Sequence, residues 1–73
     1  MKQWTEIVPA EPGRYAHSLG MRWIVKSQGS PPTGLYPWLS RMVGRYDWDI
    51  YGDGVGFRNL EDAQLFYLAW ADS

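Results

Sequence analysis

The stretch that most constrains the fold runs from Arg41 to Asn59. Up to Tyr51 the even positions Met42, Tyr46, Trp48 and Ile50 are apolar, while Arg41, Arg45, Asp47 and Asp49 take odd positions. That two-residue period predicts a half-buried strand from Arg41 to Tyr51. GDGVGFRN follows, and its Asp53-Gly54 pair signals a type I′ turn, whose central residues both take positive φ. With that pair at the tip, Tyr51 faces Gly56, Ile50 faces Phe57 and Asp49 faces Arg58. One register then aligns an apolar pair on one face and an opposite-charge pair on the other, which predicts a β-hairpin.

Asn59, followed by Glu61 and Asp62, opens a helix by offering a cap and early acids to its free amides and dipole. The expected helix is Leu60 to Ala71. At 100° per residue, Leu60, Ala63, Phe66, Tyr67 and Trp70 share the face that covers the sheet. Leu65 and Leu68 fall outside it, and capping by another segment is favoured over exposure. Upstream, Gln3 to Val8 read as a strand closed by Pro9 and Pro12-Gly13. Met21, Trp23 and Val25 alternate with Arg22 and Lys26, a further strand with Trp23 inward. The expected architecture is α+β: an antiparallel sheet of three to four strands with the C-terminal helix on one face, in a single domain spanning residues 1–73.

A chain of 73 residues without cysteine has no disulfide, no thiolate zinc site and no cysteine nucleophile, so apolar burial must hold it together. Lys2 is followed by Gln3, Thr5 and Glu6, unlike a secretory signal, and the longest apolar run, Leu65 to Ala71, is too short to span a membrane. A reducing, cytosolic setting is the expectation. Against this spare background stand Trp 5, Tyr 5 and Phe 2, more rings than so small a domain can enclose. Period assigns Trp23, Tyr46, Trp48, Phe57, Phe66, Tyr67 and Trp70 to the core, leaving Trp4, Tyr15, Tyr36, Trp38 and Tyr51 unplaced. Arginine also outnumbers lysine. Surplus Trp, Tyr and Arg is the composition of a protein interface.

Ser27 to Ser40, SQGSPPTGLYPWLS, breaks every period. Three prolines and two glycines argue for a loop, yet Leu35, Tyr36, Trp38 and Leu39 make it apolar. It either folds back to plug one end of the core or anchors another protein. It also lies in an acid-free stretch from Pro12 to Tyr46 that holds Arg14, Arg22, Lys26, Arg41 and Arg45, whereas the acids gather after Asp47. These halves either pair with each other on folding or leave a basic face for an acidic partner.

Enzymatic chemistry finds little support. His17 is the lone imidazole, with no nucleophile or acid at a catalytic spacing. DWDIYGDG fails as a calcium loop, since Tyr51 and Arg58 stand where oxygen ligands belong, and GDGVG lacks both the glycine spacing of a dinucleotide site and the lysine of a phosphate loop. Nucleic-acid binding is the rival class. Arg22, Lys26, Arg41 and Arg45 with Tyr51 would form a basic, stackable sheet surface, although a pI near 5.6 and the interrupting Asp47 and Asp49 argue against it.

Taken whole, from MKQWTEIVPAEPGRY through SPPTGLYPWLS to FRNLEDAQLFYLAWADS, the chain resembles the small host-takeover proteins of lytic Xanthomonas bacteriophages, which bind the host RNA polymerase. The resemblance implies a non-enzymatic transcription regulator, without cofactor or metal, in the bacterial host cytoplasm. Proteins of that kind dock on the N-terminal part of the polymerase β′ subunit, hinder σ-dependent promoter recognition, and promote read-through of terminators with the elongation factor NusA. The resemblance assigns no contact residue. From the residues themselves, Tyr36 and Trp38 are expected to anchor the contact with Leu35 beside them, while Arg14, Arg41 and Arg45 steer toward acidic surface. A monomer is expected. A phage inhibitor of another host or defence protein would share this composition.

Overall fold

A computed structural model describes residues 3–29, 32–44, 46–52 and 54–71. The fold is α+β. Strands β1 (Trp4–Pro9), β2 (Trp23–Ser27), β3 (Trp48–Tyr51) and β4 (Gly54–Phe57) form one antiparallel sheet in the order β1-β2-β4-β3. Helices α1 (Tyr15–Ser18), α2 (Leu35–Met42) and α3 (Leu60–Trp70) complete it.

Pairing registers explain which side chains share a face. Ile7, Val25, Val55 and Ile50 lie in one row across all four strands, and Pro9, Trp23, Phe57 and Trp48 in the next row on that side. This face meets Ala63 and Phe66 of α3 and Leu35 and Leu39 of α2, forming the main core around Trp4. The opposite face carries Val8, Ile24, Gly56 and Asp49 in one row and Glu6, Lys26, Gly54 and Tyr51 in the other. Ala10, Ala16, Met21 and Ile24 close a smaller core there, with Val8 and Tyr51 at its edge. A four-stranded sheet with apolar side chains on both faces needs a cover on each, and α1 with its flanking turns supplies the second.

The C-terminal helix runs from Leu60 to Trp70, one residue short of the expected end, with Ala63 and Phe66 buried and Tyr67 and Trp70 packed on the core, whereas Leu60, expected on that face, is exposed. Asn59 occupies the cap position in extended backbone, but its Nδ2 donates to Asp62 Oδ2 at 3.2 Å and its side chain accepts no backbone amide. Leu65 and Leu68 are not capped by another segment: they are 41% and 76% exposed.

The hairpin forms in a different register. Ile50 pairs with Val55, Asp49 with Gly56 and Trp48 with Phe57, so Gly54 already belongs to the strand and Asp53 lies outside the described residues. Arg58 consequently meets Asp47 (Nε to Oδ1, 3.8 Å) instead of Asp49. The strand is also far shorter than Arg41 to Tyr51. Arg41 and Met42 close α2, and Gly44, in a left-handed conformation at φ 109°, ends that helix by donating its amide to the Leu39 carbonyl at 3.2 Å. The alternation before Trp48 is therefore a coincidence of a helix end and a turn. Tyr46, placed in the core by that alternation, is 75% exposed.

The proline-rich segment contains α2. Pro37 is the third residue of that helix, in the first turn, where its missing N–H has no intrahelical acceptor to lose. Leu35, Trp38, Leu39 and Met42 then recur at helical spacing, and Leu35 and Leu39 are fully buried. The segment plugs the core as a helix.

Candidate binding surface

At the β3 edge of the sheet an open groove of about 370 Å³ is lined by Leu19, Met21, Tyr36, Tyr46, Trp48, Asp49 and Arg58. Each wall has a separate origin. Tyr36 stands in the first turn of α2, 61% exposed, with its ring edge-on to Trp48 at 5.7 Å between centroids. Trp48 is half-buried and its indole Nε1 donates to the Gly44 carbonyl, which ties the end of α2 to the edge strand. Leu19 and Met21 follow α1 from the other side of the sheet.

Arg58 braces the groove. Its Nε donates to the Tyr46 carbonyl at 2.8 Å and its Nη2 to the Leu19 carbonyl at 3.4 Å, bridging segments on either side of the sheet end. Gly20 makes this possible: a Cβ there would come within 2.7 Å of Arg58 Nη1, and its φ of 92° suits glycine. The edge strand itself is partly sealed. Arg58 N donates to the Asp47 carbonyl at 3.1 Å, so residues 47, 49 and 51 bond to β4 while Trp48 and Ile50 turn their backbone groups outward. Asp49 Oδ1 accepts the outward Ile50 amide at 2.8 Å. One outward amide of this edge is thus already bonded, which weakens it as a template for strand addition.

Of the residues expected to make contact, Tyr36 is displayed in the groove. Leu35, beside it in sequence, is only 1% exposed and belongs to the core. Trp38 is half-buried, edge-on to Phe66 at 5.7 Å and to Trp70 at 6.1 Å, and is committed to packing. Arg14 occupies the position before α1 and Arg41 lies in the last turn of α2, both exposed, whereas Arg45 lies outside the described residues. Neither Arg14 nor Arg41 lines the groove. Sequence reasoning missed Leu19, Tyr46, Trp48 and Arg58 as wall residues. Gly44 was the available signal, since a glycine after an Arg41-Met42-Val43 run marks a helix stop and frees Tyr46 from the strand.

Among the described residues the basic sheet surface does not assemble. Arg22 precedes β2 and donates through Nη1 to the His17 carbonyl at 3.2 Å, Lys26 is half-buried opposite Glu6, and Arg41 rides on α2 across the sheet. Tyr51 turns inward, and burial, then the nearby Asp49 carboxylate and Tyr15, raise the pKa of its phenol. Among the described residues no group of three His, Cys, Asp or Glu side chains could hold a metal ion, and no helix is long and apolar enough to cross a membrane. No family model, curated protein or solved structure matches the chain.

Proposed function

We propose that this chain is a non-enzymatic regulator that binds bacterial RNA polymerase at the N-terminal region of its β′ subunit, inhibiting σ-dependent initiation and promoting antitermination with NusA in the host cytoplasm. The polymerase as target comes from the resemblance of the whole sequence to phage host-takeover proteins. Binding through a protein interface is supported by one structural observation: Tyr36 and Tyr46, two exposed rings, line one groove together with the half-buried Trp48. A domain of this size can present a standard interface of about 800 Å² and act on a large machine by occlusion or by favouring one of its states.

The experiment is a pull-down with the tagged chain from bacterial lysate, followed by binding to purified polymerase. Recovery of β and β′, with loss of binding in Tyr36→Ala and Tyr46→Ala variants that remain folded, is the expected result. Recovery of an unrelated host enzyme, or of nucleic acid alone, overturns the polymerase reading. Promoter-dependent transcription and terminator read-through with and without NusA then separate the two regulatory effects.

A further inference from the structure

The groove walls are largely aromatic, and they carry one cation, Arg58, and one anion, Asp49. Arg58 is already engaged by the Tyr46 and Leu19 carbonyls and by Asp47 at 3.8 Å. Asp49 lines the same groove, gives one oxygen to the Ile50 amide, and makes no ion pair among the described residues. Taking Arg58 and Asp47 as a pair, the Asp49 carboxylate is a negative charge that the described residues leave uncompensated. It lines the groove together with Tyr36, Tyr46 and Trp48, rings whose π faces are themselves electronegative. Tyr36 and Trp48 meet at 67°, so two of these walls enclose a corner and do not form a flat surface.

We propose that this groove receives an arginine side chain of the partner protein. The proposal rests on reading the groove as the protein-docking site and names the group that enters it. A cation with an apolar stem is what aromatic walls and a lone carboxylate attract together. Guanidinium suits the site better than ammonium because it is planar, weakly hydrated, stacks on rings and bonds carboxylates through two N–H groups. The volume of about 370 Å³ is at the low end for ligand sites and accommodates one long side chain. An acidic side chain would meet Asp49 unfavourably, and a neutral proline-rich segment would leave that carboxylate without a partner.

The test is a nuclear magnetic resonance titration of the folded chain with N-acetylarginine amide and, separately, with N-acetylcitrulline amide, a neutral ligand of nearly the same shape. The Trp48 indole N–H and the Ile50 amide report the groove. Arginine is expected to shift both signals saturably, with citrulline at least about five-fold weaker. Asp49→Asn, which retains an oxygen for the Ile50 amide, and Tyr46→Ala should each weaken arginine binding by about three- to ten-fold while the remaining spectrum is unchanged. Equal responses to the two ligands, or no response at Trp48 and Ile50, overturn the arginine assignment. Polymerase binding is read separately. A chain that binds polymerase yet treats the two ligands alike loses only the arginine site, whereas arginine selectivity in a chain that binds no polymerase upholds the site and removes the polymerase.

Discussion

Trp4 stands edge-on to Phe66, with ring centroids 4.7 Å apart and planes at 80°, and so joins the first strand to the last helix. Phe66 in turn meets Phe57, Trp38 and Trp70, placing Trp4 at one end of a chain of rings that runs through the main core. Both Trp4 and Phe66 are essentially inaccessible to solvent. Truncation to alanine removes a large buried ring and leaves a cavity, at about 3–5 kcal/mol. A domain this small has total stability of about the same size. Trp4→Ala is therefore expected to be largely unfolded at room temperature by circular dichroism. The Trp4 indole N–H is buried with no protein partner among the described residues, so Trp4→Phe forfeits no hydrogen bond. It should stay folded in urea titrations at a cost of about 1–2 kcal/mol.

The contrast between Trp4 and Phe66 also tells which parts of this fold a sequence displays. Phe66 is legible because α3 repeats its period without interruption from Leu60 to Trp70. Trp4 is not, because the register of β1 shifts between Trp4 and Glu6, and a bulge carries Trp4 and Ile7 to the same face despite their opposite parity. The hairpin was legible as a hairpin, but its register was not. Glycine at 52, 54 and 56 allows several turn positions, and the choice is decided by Val55 and Phe57 entering the core. In α2, proline masked a helical stripe that Leu35, Trp38 and Leu39 spell out. The groove was the least legible part. Its walls come from the turn after α1, the first turn of α2, the edge strand and Arg58, and only the sheet order brings them together.

Two glycines of β4 lie where side chains have no room. A Cβ on Gly54 would come within 2.2 Å of the Val25 carbonyl oxygen, whereas one on Gly56 would meet the Tyr51 ring at 2.7 Å and the Met21 side chain at 3.2 Å. Backbone in a central sheet pair yields less readily than the end of a side chain. Gly54→Ala should therefore lower stability more than Gly56→Ala, with about 1–3 kcal/mol for the latter and more for the former. Urea midpoints of the two variants check the order, and the reverse order would contradict the packing described for this strand.

Trp38 and Tyr36, two residues apart on α2, should separate stability from recognition. Trp38 touches Phe66 and Trp70, so Trp38→Ala acts on the fold, with an expected loss of about 2–4 kcal/mol because the ring is half-buried. Tyr36 is 61% exposed and packs edge-on with Trp48, so Tyr36→Ala should change stability by about 1 kcal/mol or less. Partner binding should respond in the opposite sense, provided that the Trp38 variant is assayed under conditions where it is folded. Paired melting curves and binding isotherms would decide the matter. A Tyr36→Ala variant that binds normally, beside a folded Trp38→Ala variant that does not, would move the contact from the groove to the α2–α3 side.

Tyr51 gives the fold a specific sensitivity to alkali. Its ring packs on the smaller core, edge-on to Tyr15 at 6.3 Å, and its hydroxyl is buried with no protein partner among the described residues. Burial raises the phenol pKa, and the Asp49 carboxylate and Tyr15 raise it further. In the unfolded chain the same group ionises near pH 10. Below that pH both states hold the proton and the group leaves stability unaffected by pH. Above it the unfolded chain releases the proton first, and stability falls as pH rises from the ordinary value through the raised one. Melting temperature should therefore decline more steeply above about pH 10 in the native chain than in Tyr51→Phe. At neutral pH the Phe variant should be as stable or slightly more so, since it removes a buried hydroxyl that lacks a protein acceptor. Thermal melts from pH 7 to 11, with ultraviolet titration of the phenols, test both points. Parallel curves for the two proteins would mean that Tyr51 ionises as freely in the fold as in the unfolded chain.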